Sequence, residues 1–548
     1  MNAEFLLSAL SRFGDHPDRI QEFRKVIVGL AISGRLALQS EHQAPSELLE
    51  AIEVRKAELF ARREIAKPKQ YAAITDEQLP PQFTDASAFV ALGSVARIEK
   101  GLTGIQQAQP GPYPLVVTAA ERSKCDHFDF AGPAAIIPLV SSTGHGHASI
   151  NRLHYQEGEF ALGTILAAVV PFAPDLISAR FLFEYLSTFK DELLVTRMTG
   201  TANVTLSIGR IAEVPIPLVS PSAQHKVDEL MALCDQLETA QAEREAGRDK
   251  LTLSTLAKLN EPDPETFADN ARFALEHLEP LTKRTDQIKQ LRQTILNLAV
   301  RGKLVEQDPR DEPASELLKR FANAKTERKK QTGDARIKPA PNPDLDTSPV
   351  VLPEGWALQS FENLFLFIDY RGNTPPKTES GVPLITAKNI RMGHLNREPR
   401  EYISQSTFQT WMTRGFPEIG DLFFTTEAPL ANVCLNDIAE PFALAQRSIC
   451  LQPYAPINTK FLMFALMSAP MQSLIDDHAT GMTAKGIKAA NLKPLPIPIP
   501  PLAEQHRIVA KVDELMALCD QLETTLIEGE QTRSKLLEAV LHEALEPA

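Results

Sequence analysis

One stretch of this chain occurs twice. Val227 to Thr239 returns without a change as Val512 to Thr524, 285 positions further on. Chance does not repeat thirteen residues in this way. The apolar positions say what the stretch is. Val227, Leu230, Cys234 and Leu237 step by three, four and three, as do Val512, Leu515, Cys519 and Leu522. That is heptad spacing on a helix, the seam of a coiled coil. Being identical, the two seams are expected to meet each other across a pseudo-twofold axis.

The rest of the chain repeats around these helices. Residues 1–66 read as a helical region. Pro45 and Ser46 suit a helix start, and charges alternate from Glu53 to Glu58. Residues 88–218 change to short β-like runs broken by Gly and Pro, with one helix from Ser178 to Leu194. Residues 222–333 return to helix. Ala223 to Leu259 reads as one helix of roughly 55 Å, ended by Pro262 and Pro264. A second runs from Leu281 to Val300, with Gly302 as its stop. Lys338 to Pro343 is a stiff linker. Residues 350–498 form a second mixed segment, and 502–546 a final long helix. Thr199-Gly200 matches Thr480-Gly481 and Pro215-Ile-Pro matches Pro496-Ile-Pro, at one offset of 281. Leu30-Ala31 and Gly34-x-Leu36 match Leu298-Ala299 and Gly302-x-Leu304.

The expected fold class is therefore α+β. Two mixed α/β domains are separated by a pair of long antiparallel coiled-coil helices, in a circularly arranged duplication. The N-terminal helices complete the unit that the C-terminal helix begins.

Composition excludes several classes. With 43% hydrophobic and 23% charged residues the chain reads as soluble and globular. Its longest apolar run near the N-terminus, Val26 to Ile32, is too short to span a bilayer, and no secretion signal is read ahead of it. Five cysteines without a Cys-x-x-Cys pair fit a reducing cytoplasm. A net charge of −13 argues against a strong autonomous nonspecific nucleic-acid binder, but not against local DNA contact.

The sequence carries no recognisable catalytic signature. There is no phosphate loop; Gly302-Lys303 lacks the upstream glycine. Pro341 to Asp344 lacks the second proline and the aromatic that hold a flipped base. Gly144-His145-Gly146-His147 offers two ligands and no third, so no metal is expected. Ser141 and Ser142 beside His145 make no triad. The chain reads as a binder.

Loops in both mixed segments suit DNA. In the second, Arg371, Thr374 and Lys377 lie on one turn. Lys388, Asn389 and Arg391 follow a strand. Thr483, Lys485 and Lys488 belong to a Gly-rich basic loop. In the first, the matching places hold Lys100, Thr103 and Gln106 with Gln107, then Thr201 and Asn203. Such loops set Lys and backbone N–H groups on phosphates, and Arg, Asn or Gln on base edges.

These features together resemble the specificity subunit of a type I restriction-modification enzyme. The carriers are the Thr-Gly-rich closing segments and the run from Ile497 to Ile508 into a long helix. Gly420 to Thr425 and Gly372 to Pro375 resemble family landmarks too. The first half departs from the pattern, since Ser220 to His225 keeps only part of the Pro-Leu-Ala-Glu-Gln motif.

The resemblance implies two target-recognition domains, each reading half of a split double-stranded DNA sequence. It implies helical regions that dock two methyltransferase subunits and, through them, restriction and translocase subunits. S-adenosylmethionine, ATP and Mg²⁺ would belong to those partners, and this chain would carry no cofactor. It implies a cytoplasmic, non-catalytic subunit without a membrane. Two rival readings stay open at this level: a stand-alone methyltransferase with duplicated recognition domains, and a protein-only coiled-coil scaffold.

Overall fold

The computed structural model describes residues 17–36, 44–106, 108–143, 146–261, 263, 265–370, 374–481 and 485–545. They divide into two compact units. The first takes the chain up to Ala246 and again from Glu530; the second runs from Gly247 to Gly529.

In the first unit, helices α1 (Pro17–Ile32) and α2 (Pro45–Ala61) precede the sheets. The strands are β1 (Phe89–Ala91), β2 (Ala96–Lys100), β3 (Tyr113–Val116), β4 (Ser123–Cys125), β5 (Phe130–Ala131), β6 (Ala134–Pro138), β7 (His154–Gln156), β8 (Glu159–Leu162), β9 (Leu166–Pro171) and β10 (Pro215–Pro217). One sheet has the antiparallel order β2-β9-β6-β7, and a second the order β4-β3-β8-β5 with β3 and β8 parallel. β6 and β9 are almost wholly apolar because both faces are covered, and Ile136, Ile137, Ala167 and Val169 are all fully buried. Helix α3 (Ala179–Thr188) covers this sheet. Its cap is Ser178, whose side chain accepts from the Phe181 N–H. β1 pairs with β10, and the chain then enters α4 (Pro221–Asn260).

The second unit opens with α5 (Thr285–Val300) and α6 (Ala314–Thr332). Its strands are β11 (Ala357–Ser360), β12 (Phe365–Asp369), β13 (Val382–Ile385), β14 (Ile390–Arg391), β15 (His394–Leu395), β16 (Tyr402–Ile403), β17 (Leu422–Thr425), β18 (Val433–Leu435), β19 (Ala443–Leu444), β20 (Ser448–Pro453) and β21 (Pro496–Ile499). An antiparallel sheet runs β12-β20-β17-β18, and β13 pairs antiparallel with β16 and parallel with β19. Helix α7 (Thr459–Met467) covers the sheet, β11 pairs with β21, and α8 (Leu502–Leu545) follows. The apolar run from Phe461 to Ile475 is split between two helices, because Ser468 and Pro470 restart the second as Ala469–Asp477.

Helix ends follow sequence closely. Gly302 sits at φ +63° and Gly34 at φ +72°. In each case the following N–H reaches back to a leucine carbonyl: Lys303 to Leu298 at 3.0 Å and Arg35 to Leu30 at 2.9 Å. This is the left-handed termination that glycine supplies most cheaply.

The repeated seam is buried in both copies. Val227, Leu230 and Cys234 are buried in the core of the first unit, with Leu237 packed against it. Val512 and Cys519 are buried in the core of the second, with Leu515 and Leu522 beside them. Each seam is thus packed into the core of its own unit. Heptad spacing states that one face is buried; it does not state what covers it.

The cover is duplicated in detail. Arg24 on α1 pairs with Asp235 at 2.6 Å and Glu238 at 3.2 Å on α4. Arg292 on α5 pairs with Asp520 at 2.6 Å and Glu523 at 3.1 Å on α8. The tails of the long helices also have partners inside a unit. Asn260 and Asn297 bond at 2.6 Å in the second, and Arg19 and Glu530 at 2.5 Å in the first, where Leu537 joins the core.

Candidate nucleic-acid interface

Strand register decides which loops share a surface. In the first unit Lys100 lies opposite Ala167, and Pro138 opposite Leu166. Beyond that end of the sheet, the Gly101 N–H donates to Leu166 O at 2.9 Å and Leu139 N–H to Ile165 O at 2.8 Å. Ser141 N–H donates to Val204 O at 3.0 Å, and Leu206 N–H to Leu139 O at 2.9 Å. The segments around 101, 140 and 204 therefore leave from one end of one sheet.

The 199–205 segment is a closed loop. Thr199 and Thr205 exchange backbone hydrogen bonds at 2.9 and 2.8 Å. Gly200 sits at φ +131°, where a Cβ would lie 2.1 Å from Asn203 O. Thr201 and Asn203 are lifted into solvent at its tip. The neighbouring loop packs against it so closely that a Cβ on Gly146 would lie 2.4 Å from Thr201 O. That loop is tied by hydroxyls: Ser149 N–H donates to Ser141 Oγ at 3.1 Å and Thr143 N–H to Ser149 Oγ at 3.1 Å. Lys100 and Gln106 are exposed; Gln107 and His145 lie outside the described residues.

The second unit builds the same device. Asp369 lies opposite Ile449, and Thr425 opposite Ser448. Thr426 N–H donates to Arg447 O at 3.0 Å and Ile487 N–H to Thr426 O at 2.9 Å. Thr480 and Gly486 exchange hydrogen bonds at 2.8 and 2.9 Å, with Gly481 at φ +114°. The β14–β15 hairpin, carrying exposed Arg391, is held beside this end by Asn432, whose side-chain amide donates to Ile390 O at 3.0 Å. Exposed Lys488 leads into a short helix after Ile487.

Not every expected residue faces solvent with a free head group. Asn389 is 1% exposed. Its Oδ1 accepts from Thr386 N–H at 3.0 Å, and its amide donates to Asn396 O and Pro399 O, each at 3.1 Å. Thr103 is 5% exposed, and its hydroxyl donates to Asp129 at 2.8 Å. Both side chains are used up in holding turns, so neither is retained as a DNA contact. Lys377 holds Glu401 at 2.7 Å and Lys485 holds Asp476 at 2.5 Å, so a carboxylate already balances part of each amine's charge. Thr374 and Lys388 are exposed. Arg371 and Thr483 lie outside the described residues.

Two features of this surface went unnoticed in the sequence. Arg447 stands at φ +69° on the turn into β20, half-exposed, and pairs with Glu427 at 2.6 Å. A recess of about 300 Å³ is lined by Arg336, Lys338, Arg414 and Lys493, next to Asp369 at the loop end of β12. Its four cations come from three separate segments, so no local motif could announce it. Among the described residues, no helix is long and apolar enough to cross a membrane.

Comparison with known proteins finds DNA-specificity subunits. Residues 359–529 match the family model of the type I restriction modification DNA specificity domain. The chain is 29% identical to the type I restriction enzyme EcoAI specificity subunit of Escherichia coli, over 96% of this chain and 94% of that one. It is 26% identical to the EcoEI specificity subunit of the same organism, with the same two coverages. Among solved structures, the HsdS subunit from Thermoanaerobacter tengcongensis is 17% identical, with a TM-score of 0.38 over 85% of this chain and 97% of that one. That overlay is too loose to place any residue.

Proposed function

We propose, for a chain that belongs to the specificity subunits of type I restriction-modification systems, that each of its two units reads one half of a split double-stranded DNA target. One observation carries the reading. The same closed Thr-Gly loop stands at the end of a four-stranded sheet of the same order in both units. Two readers of one design with different tips suit two different half-sites. In the first unit Gln106, Thr201 and Asn203 are the readers, with Lys100 on phosphate. In the second Arg391 is the reader, with Lys388 and Lys488 on phosphates and Thr374 at the border.

The remainder of the reading concerns assembly. α4 begins in the first unit and ends in the second, and α8 does the reverse. This reciprocity supports an antiparallel helix pair and a circular duplication. A 40-residue helix is about 60 Å long, more than the roughly 34 Å of one DNA turn. The helices then act as a ruler, and bases between the half-sites go unread. Recognition is this chain's share of the work. Methyl transfer from S-adenosylmethionine falls to two docked methyltransferase subunits, and ATP- and Mg²⁺-dependent cleavage to restriction subunits, all in the cytoplasm. The acidic balance fits a reader that shares its grip on the duplex with such partners.

The test adds partners and then changes the ruler. The purified chain alone should not methylate DNA; with methyltransferase subunits it should direct methylation to a bipartite site. Inserting one heptad into each helix, beside Gly247 and Gly529, should lengthen the permitted spacer and keep both half-sites. An unchanged spacer with altered half-site bases would contradict the ruler, and methyl transfer by the isolated chain would contradict the division of labour.

A further inference from the structure

Cys125 ends β4 with its thiol buried against Leu115, Val117 and Ala161. The next two side chains, Asp126 and His127, are half-exposed. Their donor atoms converge. Cys125 Sγ is 3.4 Å from His127 Nδ1 and 3.6 Å from Asp126 Oδ1, and Nδ1 is 2.8 Å from that oxygen. Ligands on a tetrahedral zinc ion are spaced by its bond lengths: roughly 3.5 Å from sulfur to nitrogen or oxygen, and roughly 3.3 Å from nitrogen to oxygen. Two edges match directly. The third is shorter because a proton lies between those two atoms here. Among the described residues, no other trio of Cys, His, Asp or Glu brings its ligand atoms this close.

A second, independent feature sets the imidazole for such a role. His127 Nε2 is 2.9 Å from Thr103 Oγ1. That hydroxyl donates to Asp129 Oδ2 at 2.8 Å, and the same oxygen accepts from Leu162 N–H at 2.9 Å. Thr103 and Asp129 are both nearly inaccessible to solvent. With its proton committed to Asp129, the hydroxyl accepts from Nε2–H. Nδ1 is then the nitrogen left to bind a cation. Metal-bound histidines are oriented through their second ring nitrogen in the same manner. The backbone crowds in as well: a Cβ on Gly111 would lie 2.3 Å from Asp126 Cα.

We propose that Cys125, Asp126 and His127 bind a divalent transition-metal ion of the zinc class, which clamps the end of β4 to the Lys100–Gln106 loop through Thr103. Binding releases two protons to solvent, the thiol proton and the one held between His127 Nδ1 and Asp126. Thiolate and carboxylate together then balance the dication, and His127 binds as the neutral imidazole. Water takes the fourth position on the exposed side. The sulfur-nitrogen-oxygen donor set favours zinc over magnesium or calcium, which take oxygen ligands. The ion stiffens the two segments that carry exposed Leu102, Ile105 and Phe128. This site does not depend on the DNA reading proposed above.

The full chain, stripped with a chelator, is titrated with Zn²⁺ against a chromophoric competitor and separately with Co²⁺. One equivalent should bind, and the cobalt form should show a thiolate charge-transfer band in the near ultraviolet. His127→Asn alters a half-exposed side chain and should unfold at the wild-type midpoint while losing the bound equivalent. Cys125→Ser should abolish the band. Thr103→Val should weaken affinity by roughly 10- to 100-fold, as loss of an orienting partner does. Cys234→Ala, in the core of α4, should change nothing in the titration. No bound equivalent, a cobalt spectrum without the sulfur band, or full binding by His127→Asn would each overturn the proposal.

Discussion

The side-chain oxygen of Gln505 accepts a hydrogen bond from the backbone N–H of Asn458 at 3.1 Å, tying the cap of α7 to the first turn of α8. Its amide donates to Pro500 O at 2.9 Å. The first unit repeats the contact. Gln224 accepts from Ser178 N–H at 2.8 Å and donates to Val219 O at 2.7 Å and Leu176 O at 2.8 Å. Both glutamines are buried. Of the Pro-Leu-Ala-Glu-Gln motif, the first unit keeps the glutamine that locks its long helix to the helix covering its sheet.

Removing either glutamine side chain leaves buried N–H and C=O groups unpaired. Gln224→Ala and Gln505→Ala should each cost about 1–3 kcal/mol. Denaturant unfolding of the full chain measures this. A loss below a few tenths of a kcal/mol in either variant would show that the lock is not used.

Glu504 is 1% exposed, and both its oxygens lie 3.1 Å from Trp356 Nε1. Burial raises its carboxyl above the usual range, against the opposing pull of the Trp356 hydrogen bond and Arg507. The folded state therefore holds this proton more tightly than the unfolded state. The stabilising contribution is full below the unfolded carboxyl value, about 4.3, and is lost as pH rises through the folded one. Glu504→Gln should thus gain stability relative to the parent as pH rises from 4 to 7. A stability difference independent of pH would count against this account.

Gly200 holds the loop tip of the first unit in a conformation that L side chains rarely adopt. Gly200→Ala should cost the loop about 1–3 kcal/mol while leaving the global unfolding midpoint near its parent value. Amide exchange at Thr199 and Thr205 should accelerate, because their mutual bonds close the loop. Unchanged protection at both amides would show that the loop does not depend on glycine.

Lys388 and Lys488 are exposed, whereas Lys377 and Lys485 hold carboxylates. In the complex with methyltransferase subunits, Lys388→Ala and Lys488→Ala should each flatten the salt dependence of DNA binding by about 0.9 in slope. Affinity for specific and unrelated duplexes should fall alike. Lys377→Ala and Lys485→Ala should do less, since a carboxylate already balances part of each amine's charge. Anisotropy titrations across salt concentrations rank the four, and the reverse ranking would remove Lys388 and Lys488 from the phosphate contacts.

Much of the fold was legible in particular residues. The helix expected from Ala223 to Leu259 runs from Pro221 to Asn260. Gly302 ends its helix where a glycine stop was expected, and Thr199 and Thr480 close matching loops. Other features were not legible, for physical reasons. The spacing from Val227 to Leu237 marks a buried face without naming what covers it. Asn389 and Thr103 are polar residues on turns, and a turn consumes such side chains as readily as a ligand does. Arg447 and the recess around Arg414 draw on residues far apart in sequence, which only the folded chain brings together.

The central claim is that two units read two separate blocks of bases. The direct measurement is selection of bound sequences from a randomised duplex library by the assembled complex. Parent protein, a Gln106→Ala, Asn203→Ala double variant and an Arg391→Ala variant are compared. The account predicts two blocks of preferred bases divided by an unread spacer. The double variant should relax positions in one block alone, and Arg391→Ala positions in the other alone. A single uninterrupted block, or both variants relaxing the same positions, would contradict it.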